Sequence, residues 1–141
     1  MDGVWDCFHK GHVKHFQQVK NLDGEYNTVI VGIVSDSDAA AYKRQPVYDR
    51  EHRSILVQAC RYVDEVVSPA PLVITKEFLD LHRIDLVCHA FSDMHDAGKQ
   101  DAFFRVPRQL GLFRALEYNR GVSTTAIIEA REASCKLKSR P

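Results

Sequence analysis

The sequence predicts an α/β fold, a parallel sheet flanked by helices, and three observations carry that prediction. Runs of β-branched residues alternate with runs whose apolar residues recur at helical spacing, the order of successive βαβ units. The run Thr28–Val34 (TVIVGIV) shows no polar alternation, as expected of a strand covered by helices on both faces. Gly, Pro and polar clusters punctuate the chain between these runs. With 141 residues the chain is one domain, long enough for a core without disulfide or metal staples.

The elements follow in order. Val13–Leu22 is a helix, with Val13, Phe16, Val19 and Lys20 on one face. Thr28–Val34 is the buried strand, and 35–46 is a loop. Asp49 caps a helix running to Tyr62, with Ile55, Leu56, Ala59 and Tyr62 repeating on one side. Val63–Val67 is a short strand, ended by Pro69 and Pro71. Lys76–His82 is a helix and Ile84–His89 a strand. Residues 90–100 form a polar loop containing Gly98. Asp101–Leu110 is helical despite Pro107, and Leu112–Leu116 is a strand. Ser123, after Gly121, caps a last helix to Ala133. The domain is therefore expected over 1–133, with 134–141 as a frayed basic tail.

Composition excludes several classes. Lys+Arg and Asp+Glu are 19 each, so no net charge recommends a nucleic-acid partner. The run ending at Val34 is too short to span a bilayer. The opening residues carry no charged-then-apolar leader, which predicts a cytoplasmic location, with the nucleus as the other compartment. Cys7, Cys60, Cys88 and Cys135 show no CxxC pair and no zinc-type spacing, so they are expected as free thiols, with no metal site.

In parallel sheets, ligands sit beyond the carboxyl ends of the strands. That places function in residues 2–12, 35–46, 68–75, 89–99 and 117–124. The first of these contains His9-Lys10-Gly11-His12, an HxGH tetrad where loop becomes helix. Two imidazoles three residues apart face one side, and Gly11 lets a ligand approach the backbone. Amides of a helix N-terminus favour phosphate, and imidazoles stabilise charge on a transferring phosphoryl group. The tetrad alone is equally compatible with a surface pair or with a weak metal pair joined by His15.

Asp2-Gly3, the HxGH tetrad, Lys43, Arg61-Tyr62-Val63-Asp64-Glu65-Val66-Val67 and Gly121-Val122-Ser123-Thr124-Thr125 occur in the order of one family. In these motifs the chain resembles the cytidylyltransferases of phospholipid synthesis that act on choline phosphate and ethanolamine phosphate. These belong to the HxGH nucleotidylyltransferase superfamily. Residues 60–67 and 77–85 are most similar to the choline-phosphate branch. The resemblance implies a Rossmann-like fold and cytidylyl transfer from CTP, with Mg²⁺, to a phosphomonoester, giving a CDP-alcohol and pyrophosphate. It also implies a homodimer.

By that resemblance His9, His12 and Lys43 are catalytic. Gly11, Arg61, His89, Arg120, Ser123, Thr124 and Thr125 hold the nucleotide, Arg61 being equally readable as a dimer-interface residue. Asp2, Leu72, Ala90 and Asp93 stand at the head-group site, with Trp5 and Phe91 as rings near it.

The chain departs from the family pattern in three places. The sheet's first central strand, which precedes Asp-Gly in the family, is missing. Tyr118 and Ala126 replace a family arginine and aspartate, with Arg120 and Arg114 as substitutes for the arginine. Leu72 and Ala90 replace an aromatic and an acidic head-group residue. The departures give an alternative: a degenerate, non-catalytic dimerising or regulatory paralogue. A transferase using ATP or another phosphomonoester is a third reading.

Overall fold

In the computed structural model, residues 1–138 are described, with side chains through Lys136. Every strand pairing among them is parallel, as the alternation of strands and helices implies. The strands form two separate ladders. β1 (Asp2–Gly3), β2 (Ile30–Val34) and β3 (Glu65–Ala70) make one, in that order, while β4 (Val87–His89) and β5 (Phe113–Ala115) make the other.

β1 lies in register on β2, Asp2 opposite Gly32 and Gly3 opposite Ile33. Before it, the Met1 carbonyl accepts from the Gly32 amide at 2.7 Å, and the Met1 ammonium donates to the Ile30 carbonyl at 2.8 Å. Asp2 and Gly3 are thus themselves strand, and Met1 extends their pairing on β2. β3 continues through Pro69 to Ala70 rather than ending before it, with a register shift opposite Gly32–Val34.

The helices are α1 (Lys10–Lys20), α2 (Asp36–Tyr42), α3 (Arg50–Gln58), α4 (Lys76–Leu81), α5 (Met94–Lys99), α6 (Arg105–Gln109) and α7 (Thr124–Lys138). Two of them fall where a loop was expected. In α2, Ser35 accepts from the Asp38 amide, and the short Asp-Ser-Asp-Ala-Ala-Ala-Tyr helix buries only Ala39. In α5, Asp93 accepts from the Asp96 amide, and nothing is buried. Both are one-to-two-turn helices created by their caps, with too few apolar residues to show a period.

Asp49 caps α3 as expected, but the helix ends at Gln58, four residues short of Tyr62. α7 runs to Lys138, past the expected end at Ala133, so 134–138 is helix rather than frayed tail. The rest of that tail, 139–141, lies outside the described residues.

The core has two clusters, and the first reaches across from the first ladder to Cys88 of β4 and Leu116. Phe16, Val29, Val31, Ile33 and Val57, all nearly inaccessible, belong to the first. Ile74, Leu79, Val87 and Phe104 belong to the second. Lys20, on the apolar face of α1, is buried through an ion pair with Asp64, which also accepts from the Val29 amide. That bond ties α1 to the start of β2 and β3. The partner cation, and after it the amide, holds the Asp64 carboxyl below its ordinary pKa.

Candidate functional site

The HxGH tetrad is the cap of α1. His9 is extended (φ −143°) and its Nδ1 accepts from the Gly11 amide at 3.1 Å. The His12 Nδ1 accepts from the His9 amide at 3.4 Å. The result is a reciprocal capping box built from two histidines. Gly11 is required by space: a Cβ there would stand 2.8 Å from His9 Cε1.

The two rings stack, centroids 3.8 Å apart. Each spends Nδ1 as an acceptor, so as neutral rings both carry their proton on Nε2. They are held neutral. Burial, then the neighbouring His9, His15 and Lys43 charges, lower the His12 pKa to about 3. Burial alone lowers that of His9.

Trp5 supports this arrangement from below. Its φ is +56°, its indole N–H donates to the Gly32 carbonyl at 3.0 Å, and it packs edge to face with the His12 ring, centroids 5.3 Å apart. The ring is thus fixed against the core and His12 while Trp5 also lines the cavity described below. Phe91 packs on His89, Phe104 and Phe113 instead of facing the cavity.

Two polar ties bring the second loop to the first. The buried Asp6 carboxylate accepts from the Val47 amide at 2.8 Å and the Tyr48 amide at 3.0 Å. Arg53, wholly inaccessible, donates to the carbonyls of Val4 (2.6 Å), Val34 (3.0 Å) and Tyr48 (3.1 Å) and to Asp36 (2.6 Å). One guanidinium thus spans the first loop, the end of β2, the start of α2 and the segment after Lys43. Lys43 itself terminates α2, its amide donating to the Ala39 carbonyl. As a residue it is exposed. Loss of water around the ammonium lowers its pKa, against the raising pull of Asp96.

The third wall is 117–126. His15, buried on α1, accepts from the Asn119 amide at 3.3 Å. Gly121 takes φ +115°, a turn that a side chain would strain. Ser123 Oγ then accepts from the Ala126 amide at 3.1 Å, capping α7 as expected. Thr124 Oγ1 donates to the Asp6 carbonyl at 2.9 Å.

These walls enclose a cavity of about 790 Å³. Asp2, His9, Gly11, His12, Lys43, His89, Ala90, Asp93, Arg120, Ser123, Thr124 and Thr125 all line it. Arg61 and Leu72 do not: Arg61 is an exposed turn residue after α3, and Leu72 follows β3. Arg114 is engaged by Asp23 at 3.1 Å and does not line the cavity either. Asp93 lines it with one oxygen already spent on the α5 cap.

Tyr42, Asp96, Gln100 and Arg44 also line the cavity, and sequence reasoning missed them. The one available signal was Asp96 and Gln100 at i, i+4, whose side chains bond at 2.7 Å.

At one end, Asp2 is buried beside His89, 3.6 Å from its Nδ1. Asp2 Oδ1 is the one buried side-chain oxygen among the described residues without a hydrogen-bond partner. No group of three or more His, Cys, Asp or Glu among the described residues is placed to hold a metal ion. No helix there is long and apolar enough to cross a membrane.

Among solved structures, the lipopolysaccharide core biosynthesis protein of Thermoplasma volcanium GSS1 matches with a TM-score of 0.62 at 19% identity. The match covers 86% of this chain and 94% of that one, and it shows the fold. Choline-phosphate cytidylyltransferase A of Homo sapiens is 41% identical over 128 residues, 90% of this chain and 34% of that protein. The ethanolamine-phosphate cytidylyltransferase of Mus musculus is 37% identical over 127 residues, 90% of this chain and 30% of that protein. The probable ethanolamine-phosphate cytidylyltransferase of Encephalitozoon cuniculi (strain GB-M1) is 38% identical over 127 residues, 90% of this chain and 38% of that protein. The chain spans about a third of the length of these curated relatives. A family model described as cytidylyltransferase-like matches residues 1–130, and the chain belongs to that family.

Proposed function

We propose that the chain carries the site that transfers a cytidylyl group from CTP to choline phosphate or ethanolamine phosphate. The observation that supports this best is the convergence of two neutral imidazole Nε2–H donors, Lys43 and the start of α7 on one cavity. An unsatisfied carboxylate, Asp2, stands in the same cavity.

In the proposed reaction a phosphate oxygen of the phosphomonoester attacks the α-phosphorus of CTP. The bond from that phosphorus to the bridging oxygen breaks, and pyrophosphate leaves with the electron pair. No covalent intermediate on the protein is needed, so the residues position groups and stabilise charge. His9 and His12 donate from Nε2 to oxygens of the reacting phosphoryl group. Gly11 admits that group to the amides at the start of α1. Lys43 draws the two substrates' phosphates together as a point charge. Ser123, Thr124, Thr125 and Arg120 receive the outer phosphates, and His89 stands at the nucleotide.

The head group lies toward Asp2, with Ala90 and Asp93 beside it, where its cation meets the unpaired oxygen. Leu72 and Arg61 enter this proposal only indirectly, Arg61 as part of a homodimer contact. Mg²⁺ accompanies the triphosphate of CTP as its counter-ion. The setting is cytoplasmic.

A second reading, a non-catalytic paralogue, is favoured by one observation. Tyr118, at the family arginine position, packs against His15, ring centroids 5.9 Å apart, at the cavity wall. Phosphorus NMR of the chain with CTP, Mg²⁺ and either phosphomonoester separates the two. A diphosphodiester signal with pyrophosphate supports transfer and names the substrate. Folded protein without product supports the paralogue.

A further inference from the structure

A triphosphate would bring several negative charges into the cavity, and few of its groups can answer them. His9 and His12 are held neutral, and Asp2, Asp6, Asp93 and Asp96 are acidic residues of the lining. Among the described residues, the basic side chains of the Lys and Arg type that line it are those of Lys43, Arg44 and Arg120. Lys43 already feels the charge of Asp96. Arg44 has no role in the transfer described above.

Arg44 differs from other arginines of the chain in its partner. Arg53, Arg108 and Arg114 each meet an aspartate. Among the described residues, no carboxylate forms an ion pair with Arg44. Its Nη1 donates instead to the Thr125 hydroxyl at 3.5 Å, in an exposed position. That is the outer limit of hydrogen-bond reach, and a neutral hydroxyl leaves the cation unanswered.

The place of that hydroxyl fixes what the guanidinium adjoins. Gly11, where the reacting phosphoryl group would enter, lies against the segment before α7: a Cβ there would stand 3.5 Å from the Val122 carbonyl oxygen. Thr124 Oγ1 then bonds to the Asp6 carbonyl, and Thr125 follows in the first turn of α7. From the α1 cap the lining therefore passes Val122, Thr124 and Thr125 and arrives at Arg44. A phosphate chain held by its α-phosphoryl at the cap, and running along the start of α7, carries its outer phosphates to Arg44.

We infer that Arg44 is the residue that grips the leaving pyrophosphate, an inference that rests on the transfer reading above. Its planar guanidinium exchanges the threonine hydroxyl for oxygens of the β- and γ-phosphates, a bidentate charge-assisted contact. When the bond from the α-phosphorus to the bridging oxygen breaks, the electron pair stays on that oxygen. Negative charge then grows on the pyrophosphate, and Arg44 stabilises it. Arg44 gives up no proton and forms no covalent bond. Arg120 is exposed, precedes the Gly121 turn and lines a neighbouring groove as well; it is the lesser contact.

The test pairs binding with turnover, on the whole chain with Mg²⁺ present. Calorimetry with inorganic pyrophosphate, CTP and CMP compares the parent with Arg44→Gln, Arg120→Gln and the surface control Arg108→Gln. Arg44→Gln is expected to weaken pyrophosphate and CTP by about 10- to 100-fold, the worth of a charge-assisted bond, and to leave CMP as in the parent. Arg120→Gln should weaken them less, and Arg108→Gln not at all. In turnover, Arg44→Gln should lower kcat/KM by roughly 10²–10³. Arg44→Lys should recover only part of that, because a point charge lacks the fork. Tm should stay within about 3 °C of the parent, since the bond lost is exposed. CDP-alcohol formation that is unchanged in Arg44→Gln overturns the inference and keeps the transfer reading. An equal loss of CMP and pyrophosphate binding in Arg44→Gln, or a larger loss in Arg120→Gln, also overturns it. Pyrophosphate binding that depends on Arg44, with no CDP-alcohol from either phosphomonoester, supports the grip and overturns transfer. A folded parent that binds neither pyrophosphate nor CTP overturns both.

Discussion

His12 is the residue on which the proposed chemistry turns, and its state follows from its packing. Removing one preorganised donor to developing charge costs roughly 10²–10³ in rate. His12→Ala is expected to lower kcat for CDP-alcohol formation by that factor or more, read by phosphorus NMR or pyrophosphate release. With its pKa lowered to about 3, His12 does not titrate near neutrality. The donor is the neutral ring, so no activity step between pH 6 and 8 should trace to this residue. A rate that falls as pH rises through 6.5 and loses that step in His12→Gln would contradict the neutral donor. The shift also has a stability consequence. A histidine with a depressed folded pKa favours the native state above its unfolded pKa, ~6.5. That contribution is lost as pH falls from there toward about 3. His12→Gln should therefore lose less Tm than the parent chain between pH 6.5 and 4.

At the scale of elements, the loop before α1 and the segment after α2 are joined by Asp6 and Arg53 rather than by secondary structure. Arg53→Met keeps the volume and strands several buried carbonyls, each costing about 1–3 kcal/mol when unpaired. A loss of 3 kcal/mol or more is expected in urea unfolding. Asp6→Asn removes an acceptor while nearly preserving shape. It should raise KM for CTP more than it lowers Tm, because it frees the Lys43 segment without opening the core. An equal loss in an Arg53→Met chain and in a surface control such as Arg108→Met would contradict the hub.

The elements legible in the sequence were those with an apolar period or run. α1, α4 and β2 stand near their expected places because Phe16, Leu79 and Val31 announce a buried face. α2 and α5 were illegible because their stability comes from Ser35 and Asp93 capping and not from burial. The cavity lining was legible wherever motif residues sit on the loops beyond the strands. Asp96 and Gln100 were not, because their place depends on α5. Leu72 lies outside the cavity lining, and sequence order gives no direction for a residue following β3.

Across the whole molecule, charge works at a distance from the site. The Lys20–Asp64 pair fastens α1 to both β2 and β3, and Asp64 has a depressed folded pKa. Its stabilisation is present above the unfolded value, ~3.9, and disappears as pH falls through the lower folded one. Asp64→Asn should flatten the acid limb of a Tm-against-pH curve below about pH 4 and lower the plateau at neutral pH. An unchanged plateau would mean the pair carries no weight. The distribution of packing predicts uneven opening as well. α7 is mostly exposed beyond Thr124, whereas α3 is anchored by Arg53 and Val57. Amide exchange should therefore be fast along 126–136 and slowest in β2 and α3.

The double use of the two histidines bears on how such a chain changes over generations. Their Nδ1 atoms start α1, which leaves each ring's Nε2 uncommitted to the cap, and both residues line the cavity. A descendant relieved of any chemical duty would still be selected to retain both rings, because losing either uncaps the helix that fills the core with Phe16. The cap alone would thus keep the tetrad, whatever its chemistry. A pair of variants would separate them: His9→Asn keeps a capping acceptor and discards the distal N–H, whereas His9→Phe discards both.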